Sequence, residues 1–301
     1  MEQSYQIIPL RYDYTYFELF LIYIRTIEPE IFTETVIHYN DPKKEDLKIS
    51  YADKWAESLR DKFNAVSILC NEVLYQIPRW KNELEQAKER GYGNTIQQII
   101  LLVKYETFLN SIYSFCENIG YLIKELYPKA NLNNHFNDQK TNKLEKIKVF
   151  DEKYAKMLES SKWYDEAHSM RSEATHYLSG FIFISDMEEP GYLNDKVYSK
   201  RKGHAEKIEV ENIEKHVREM YNNLYAFINE FSRHFIELRC NKEKPVGSLC
   251  LYGGGGLSGV RTMTLNDYFL RNPPRCEALE FNCPVEEKCN ALNKPSERKI
   301  I

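Results

Sequence analysis

Long apolar runs, an excess of either charge, and tryptophan are all scarce in this 301-residue chain, and each shortage removes a class of protein. The longest early apolar stretch, "YFELFLIYI", is interrupted by Glu18 and falls far below the roughly 20 residues that span a bilayer, so no membrane partner is expected. The opening "MEQSYQIIPL" is acidic and broken by Pro9, unlike a secretory leader, and a cytoplasmic location follows as the default. Lys and Arg total 41 against 45 Asp and Glu, a formal charge of −4. That balance gives no global footprint for nucleic acid, so any such contact has to come from a local basic patch. Three tryptophans against 22 tyrosines mean that packing relies largely on rings with a polar tip.

Several motifs are missing as well. The glycines of "YGGGGLSGV" are not followed by Gly-Lys-Ser/Thr, so they do not form a phosphate loop. Metal sites in helical bundles use a Glu-x-x-His spacing on paired helices. Asp165, His168 and His176, even with Glu106 or Glu117 added, do not repeat that spacing, and no catalytic metal is expected. Of seven cysteines, Cys70 and Cys116 fall in helical patterns and read as core thiols of a reducing compartment. The five others, Cys240, Cys250, Cys276, Cys283 and Cys289, crowd the end of the chain. Structural zinc favours cysteines about two to four residues apart. A site on Cys276, Cys283 and Cys289, completed by Cys240 or Cys250, is a poor match to that rule and is the one cofactor left open.

What is present is helix. Length allows one large or two modest domains. Residues 1–50 read as an N-terminal extension with a tyrosine-rich helical segment. From Ala52, apolar residues recur at three- and four-residue steps through Trp55, Leu59, Phe63, Val66, Leu69, Leu74 and Ile77 up to Pro78, and helix formers continue to Gly91. A second long helix is predicted from about Thr95 to Tyr127 and a third apolar periodic stretch from about Leu144 to Leu158. The next helix starts behind Ser160 or Ser161, with Asp165 and Glu166 favourable near its positive end, and is expected to run to about Ile184. A long polar loop, "SDMEEPGYLNDKVYSKRKGHAEK", precedes a final helix over about Val210 to Arg239. No strand-rich region or internal repeat stands out between 52 and 240. The architecture expected is all-α: a bundle of four or five long helices over residues 51–240, followed by a small Gly- and Cys-rich appendage over 241–301.

The helix carrying "MRSEATHYLSG" is the most informative. At about 100° per residue, Trp163, Ala167, Met170, Ala174, Tyr177, Leu178 and Phe181 gather as a core stripe. Asp165, His168, Ser172, Thr175, His176 and Ser179 occupy the opposite side, with Arg171 at its border. A solvated face would ordinarily carry Lys, Glu and Gln. Two histidines, short hydroxyl residues and one arginine suggest a site instead. On a straight helix Arg171 and His176 lie about 140° apart, so the spacing argues for two copies facing each other across a two-fold axis, the arginine of one beside the histidine of the other.

Arg171-Ser-Glu-Ala-Thr-His176 resembles the Arg-x4-6-His signature of the HEPN superfamily, whose helical bundle places that motif in a late helix. The resemblance covers about residues 52 to 240 and rests on the motif and the helix order. It implies a homodimeric, metal-independent endoribonuclease of the toxin or anti-phage kind, with RNA as substrate and an antitoxin or other protein as a regulator. Under it, His176 acts as general acid or base for attack of a ribose 2′-hydroxyl, and Arg171 holds the phosphate oxygens; a histidine that titrates near neutrality and a phosphate-matching guanidinium suit those roles. Ser172 stands where active members often have Asn, Asp or His. The family often adds a polar side chain from an earlier helix, and Asn110, Ser114 and Glu117 in "YETFLNSIYSFCENIG" share a face for it; His168 is a further supporting candidate. Lys200, Arg201 and Lys202, beside Tyr192 and Tyr198, form the best local patch for RNA phosphates. The competing reading is a non-catalytic HEPN-type module that binds a partner, a nucleotide or RNA through the same face.

Overall fold

Helix-forming sequence dominates the computed structural model, which describes residues 16–17, 20–21, 24, 33–36, 47–91, 96–176, 179–185, 188–195, 207–239, 246–251, 257–263 and 275–277. In chain order the elements are β1 (Thr33–Val36), β2 (Leu47–Ser50), α1 (Ala52–Arg90), α2 (Ile96–Leu126), a 3-10 turn (Pro128–Ala130), α3 (Phe136–Thr141), α4 (Leu144–Phe150), α5 (Glu152–Ser160), α6 (Lys162–His176), β3 (Phe181–Ile184), β4 (Pro190–Asp195), β5 (Lys207–Val210), α7 (Ile213–Arg239), β6 (Val246–Leu251), β7 (Leu257–Met263) and β8 (Arg275–Glu277). The protein is all-α in class, a helical bundle to which short antiparallel sheets are added.

The chain divides into two units, Met1–Thr15 with Glu57–Phe231, and Tyr16–Ala56 with Ser232–Ile301. The second contains the β1–β2 hairpin and the β6–β7–β8 meander. Phe17, Phe20, Leu21 and Ile24 are buried in it, Phe20 against Phe235 at 6.2 Å between ring centroids.

In the first unit α2 is central. It is apolar on more than one side and buries Leu101, Tyr105, Phe108, Leu109, Ile112, Phe115, Ile119, Leu122 and Ile123, as a helix enclosed by neighbours must. Hydrogen bonds from Asn118 to Ser58, Lys62 to Ser114, Lys104 to Glu72 and Gln76 to Gln97 run in opposite senses along the two chains, so α1 and α2 are antiparallel. Phe63 of α1 meets Phe115 and Tyr221, and Phe136 meets Tyr164 and Phe227, which joins α3, α6 and α7 into one core. At Gly120 the α3 backbone comes so near that a Cβ would stand 2.6 Å from Phe136 N and 2.8 Å from Asn134 O, leaving room only for glycine.

Helix α1 reaches Arg90, where the helix formers ahead of Gly91 lead one to expect its end, and it does so through Pro78. Buried Val73, Gln76, Ile77 and Trp80 hold the helix on both sides of it, so packing outweighs the missing amide. The stretch 144–158 is two helices, because Asp151 leaves helical geometry and caps the second by accepting from Tyr154 N at 2.9 Å. Helix α6 starts at Lys162, directly behind Ser161 as expected, and the Ser161 hydroxyl donates back to Leu158 O at 2.6 Å.

The motif helix α6 ends at His176, not near Ile184, and "FIFI" forms β3. The polar stretch after it contains β4 and β5, and the sheet order is β3-β4-β5 with Phe181 opposite Leu193 and Tyr192 opposite Val210. The buried side of α6 is Tyr164, Ala167, Met170 and Glu173. Trp163 and Ala174 are only half-buried, Phe181 is 52% exposed on β3, and Tyr177 and Leu178 lie outside the described residues. The stripe keeps Ala167 and Met170 and takes Tyr164 and Glu173 in place of Trp163 and Ala174.

Candidate functional site

Two antiparallel helices build the site. On α2 the residues Glu106, Asn110, Tyr113 and Glu117 recur at three- and four-residue steps and therefore share a side. Against them run Tyr164, His168 and Arg171 of α6, then Ser179 and Gly180. Contacts follow in order along the seam. The Tyr164 hydroxyl donates to Glu117 Oε1 at 3.2 Å, His168 packs on the Tyr113 ring at 5.5 Å, Arg171 Nε donates to Asn110 Oδ1 at 3.3 Å, and Ser179 Oγ donates to Glu106 Oε2 at 2.7 Å.

Arg171 is the centre of this seam. Its guanidinium carbon lies 4.4 Å from the Tyr113 ring centroid, a cation on the negative face of an aromatic ring. Its Nη1 comes within 3.3 Å of His176 Nε2 in the same chain. This corrects the angular argument for a shared site: the two residues meet without a second copy. His176 is the last residue of α6, and the long side chain of Arg171 covers the arc between them. A guanidinium carries donors only, so a hydrogen bond at this contact requires the neutral ring protonated on Nδ1, with Nε2 accepting. The arrangement offers an anchored cation and a basic lone pair one hydrogen-bond length apart. Both His176 and Asn110 are exposed, and Arg171 is half-buried.

The neighbouring groups divide by partner. Glu117 accepts from Tyr164 and pairs with His135 Nδ1 at 2.8 Å, so it serves the other end of the seam from Arg171. Burial holds His168 below the ordinary histidine pKa, with Glu117 opposing and Arg171 reinforcing. Burial also raises the Tyr113 phenol. Ser114 turns away to α1, where Lys62 Nζ donates to its Oγ at 2.9 Å and to Asn118 Oδ1 at 3.1 Å. Burial lowers the pKa of that lysine, with Glu117 opposing. Ser172 is half-buried on α6.

Asp165, His168 and His176 do not converge, because Lys140 Nζ holds Asp165 at 2.6 Å while the two histidines pack against different partners. Among the described residues no three His, Cys, Asp or Glu side chains gather closely enough to hold a metal. Lys200, Arg201, Lys202, Cys283 and Cys289 lie outside the described residues, and Cys276 falls on β8. Tyr113 is the participant that sequence reasoning missed, and Glu106 was considered only as a metal-binding carboxylate facing Asp165, His168 and His176. Their spacing with Asn110 along α2 was the available signal. No family model, no curated protein and no solved structure matches the chain.

Proposed function

We propose that the protein is a metal-independent endoribonuclease of HEPN type, homodimeric and of the toxin or anti-phage kind, acting at Arg171 and His176. The observation that carries the reading is the 3.3 Å approach of Arg171 Nη1 to His176 Nε2, with the arginine braced by Asn110 and Tyr113. An RNA phosphodiester enters with its non-bridging oxygens on the guanidinium, which suits their geometry. As Nη1 leaves His176 for the phosphate, the freed Nε2 lone pair takes the proton of the adjacent 2′-hydroxyl, the 2′-oxygen bonds to phosphorus, the bond to the 5′-oxygen breaks, and that oxygen takes a proton from solvent. DNA has no such hydroxyl, so the chemistry selects RNA. Asn110 and Tyr113 fix the arginine before substrate arrives, so little ordering is left for the transition state.

The test is incubation of the protein, Arg171→Ala and His176→Ala with end-labelled transfer RNA and total RNA in EDTA. Cleavage to 2′,3′-cyclic phosphate ends by the parent protein, reduced at least about a hundredfold in each variant, is the expected result, since general acid–base groups contribute about that much or more. Intact RNA with the folded parent protein would sink this reading in favour of a non-catalytic module binding through the same face.

A further inference from the structure

Glu106 spends both carboxylate oxygens on the stretch of chain that follows His176. Its Oε2 accepts from Ser179 Oγ at 2.7 Å, and its Oε1 accepts from Gly180 N at 2.9 Å and from the Tyr192 hydroxyl at 3.1 Å. Tyr192 is fully buried, and its hydroxyl also accepts from Asn194 Nδ2 at 3.2 Å. The same ring presses on Gly180, where a Cβ would stand 2.4 Å from its Cε2 and Cζ. The junction between α6 and β3 is thus pinned to α2 by three donors on one carboxylate and by a ring that admits only glycine. Ser179 follows His176 by three residues, which span at most about 11 Å, so holding Ser179 on α2 limits how far the end of α6 can stand from that helix. Asn110, one helical turn beyond Glu106 on the same side of α2, fixes Arg171.

We infer that Glu106 is a positioning residue that sets His176 against Arg171 by clamping Ser179 and Gly180. Its kinetic consequence rests on the ribonuclease reading above; its geometric consequence does not. Both halves of the pair then take their register from one rigid helix, and the separation of guanidinium and imidazole is held by α2 rather than by the end of α6.

Two variants and two readouts test this. Glu106→Gln replaces one accepting oxygen by a donor, and Ser179→Ala removes a single contact from an exposed residue without threatening the fold. In RNA cleavage, Glu106→Gln is expected to lower kcat roughly ten- to a hundredfold with KM nearly unchanged, and Ser179→Ala by a smaller factor, because a misplaced group costs rate rather than binding. In nitrogen NMR of the imidazoles, His176 in the parent protein should show the Nδ1-protonated tautomer, and both variants should move toward an average of the two tautomers. His176 nitrogens that stay unchanged in Ser179→Ala, and in Glu106→Gln if it folds, would overturn the inference, even if cleavage fell. A parent protein that leaves RNA intact while the variants still shift the ring nitrogens would sink the ribonuclease reading and leave the clamp standing.

Discussion

His168 shows what burial does to one side chain in this seam. It packs beside the stacked rings of Tyr113 and Tyr164, with centroids 5.5 and 5.8 Å away. Burial there holds its pKa below the ordinary 6.5; Glu117 opposes, Arg171 reinforces and Asp165 opposes. The native protein therefore takes up this proton less readily than the unfolded chain. Its contribution is fully present above pH 6.5 and is lost as pH falls below that value toward the native pKa. Melting temperatures at about pH 7.5 and about pH 5.5, which bracket the free-histidine value, should drop more for the parent protein than for His168→Gln. Equal drops would mean that His168 titrates as it does in the open chain. The same neighbourhood marks what sequence conveys about single residues. Arg171 and His176 drew attention because two histidines, short hydroxyl residues and one arginine are unusual on a wet helix face, and Asn110 because it shares a face with other polar residues on a neighbouring helix. Tyr113 was not, and Glu106 entered only as a candidate metal carboxylate, since a tyrosine and a glutamate suit any amphipathic helix until the contacts of the facing element are known.

Single residues also decide where elements break. Asp151 separates α4 from α5: its amide closes α4 on Ile147 O at 2.8 Å, its Oδ1 caps α5 at Tyr154 N, and its Oδ2 accepts from the Tyr127 hydroxyl at 2.7 Å. Removing the cap in Asp151→Ala should cost about 1–2 kcal/mol, whereas Asp151→Asn, which retains an accepting oxygen, should lose a few tenths. Urea midpoints at constant slope read the difference. An alanine variant as stable as the parent would place the cause of the break elsewhere. The apolar periodicity of 144–158 runs across this break without a gap, so local pattern alone joined the two helices. Helix α1 presents the converse, a proline at which the apolar recurrence stops while the helix, held by buried Ile77 and Trp80, continues toward Gly91. "FIFI" is four apolar residues in a row, a run too short to assign by period; its pairing with β4, and the bond from Gln98 Nε2 to Ile182 O at 2.7 Å, come from distant parts of the chain.

At the scale of the whole molecule, the question is whether a site needs one chain or two. Helical spacing at its ideal value separates Arg171 from His176 and favours a pair shared between copies. The 3.3 Å contact within one chain favours a complete pair in each. These alternatives differ in a mixed dimer of Arg171→Ala and His176→Ala chains, isolated through two affinity tags. If arginine and histidine act across the two-fold axis, one of the two sites in that dimer regains both groups, and roughly half of the parent activity returns. If they act within a chain, every site lacks one group and the mixed dimer cleaves no faster than either variant alone. The geometry of the seam predicts the second outcome. Asn110 and Glu106, which hold the arginine and the segment after the histidine, both belong to the same α2 helix, so exchanging one half of the pair for a partner's copy would part it from the helix that sets its register. Recovery in the mixed dimer would show that α6 rearranges when two copies meet, and that the contact between Arg171 and His176 belongs to the isolated chain.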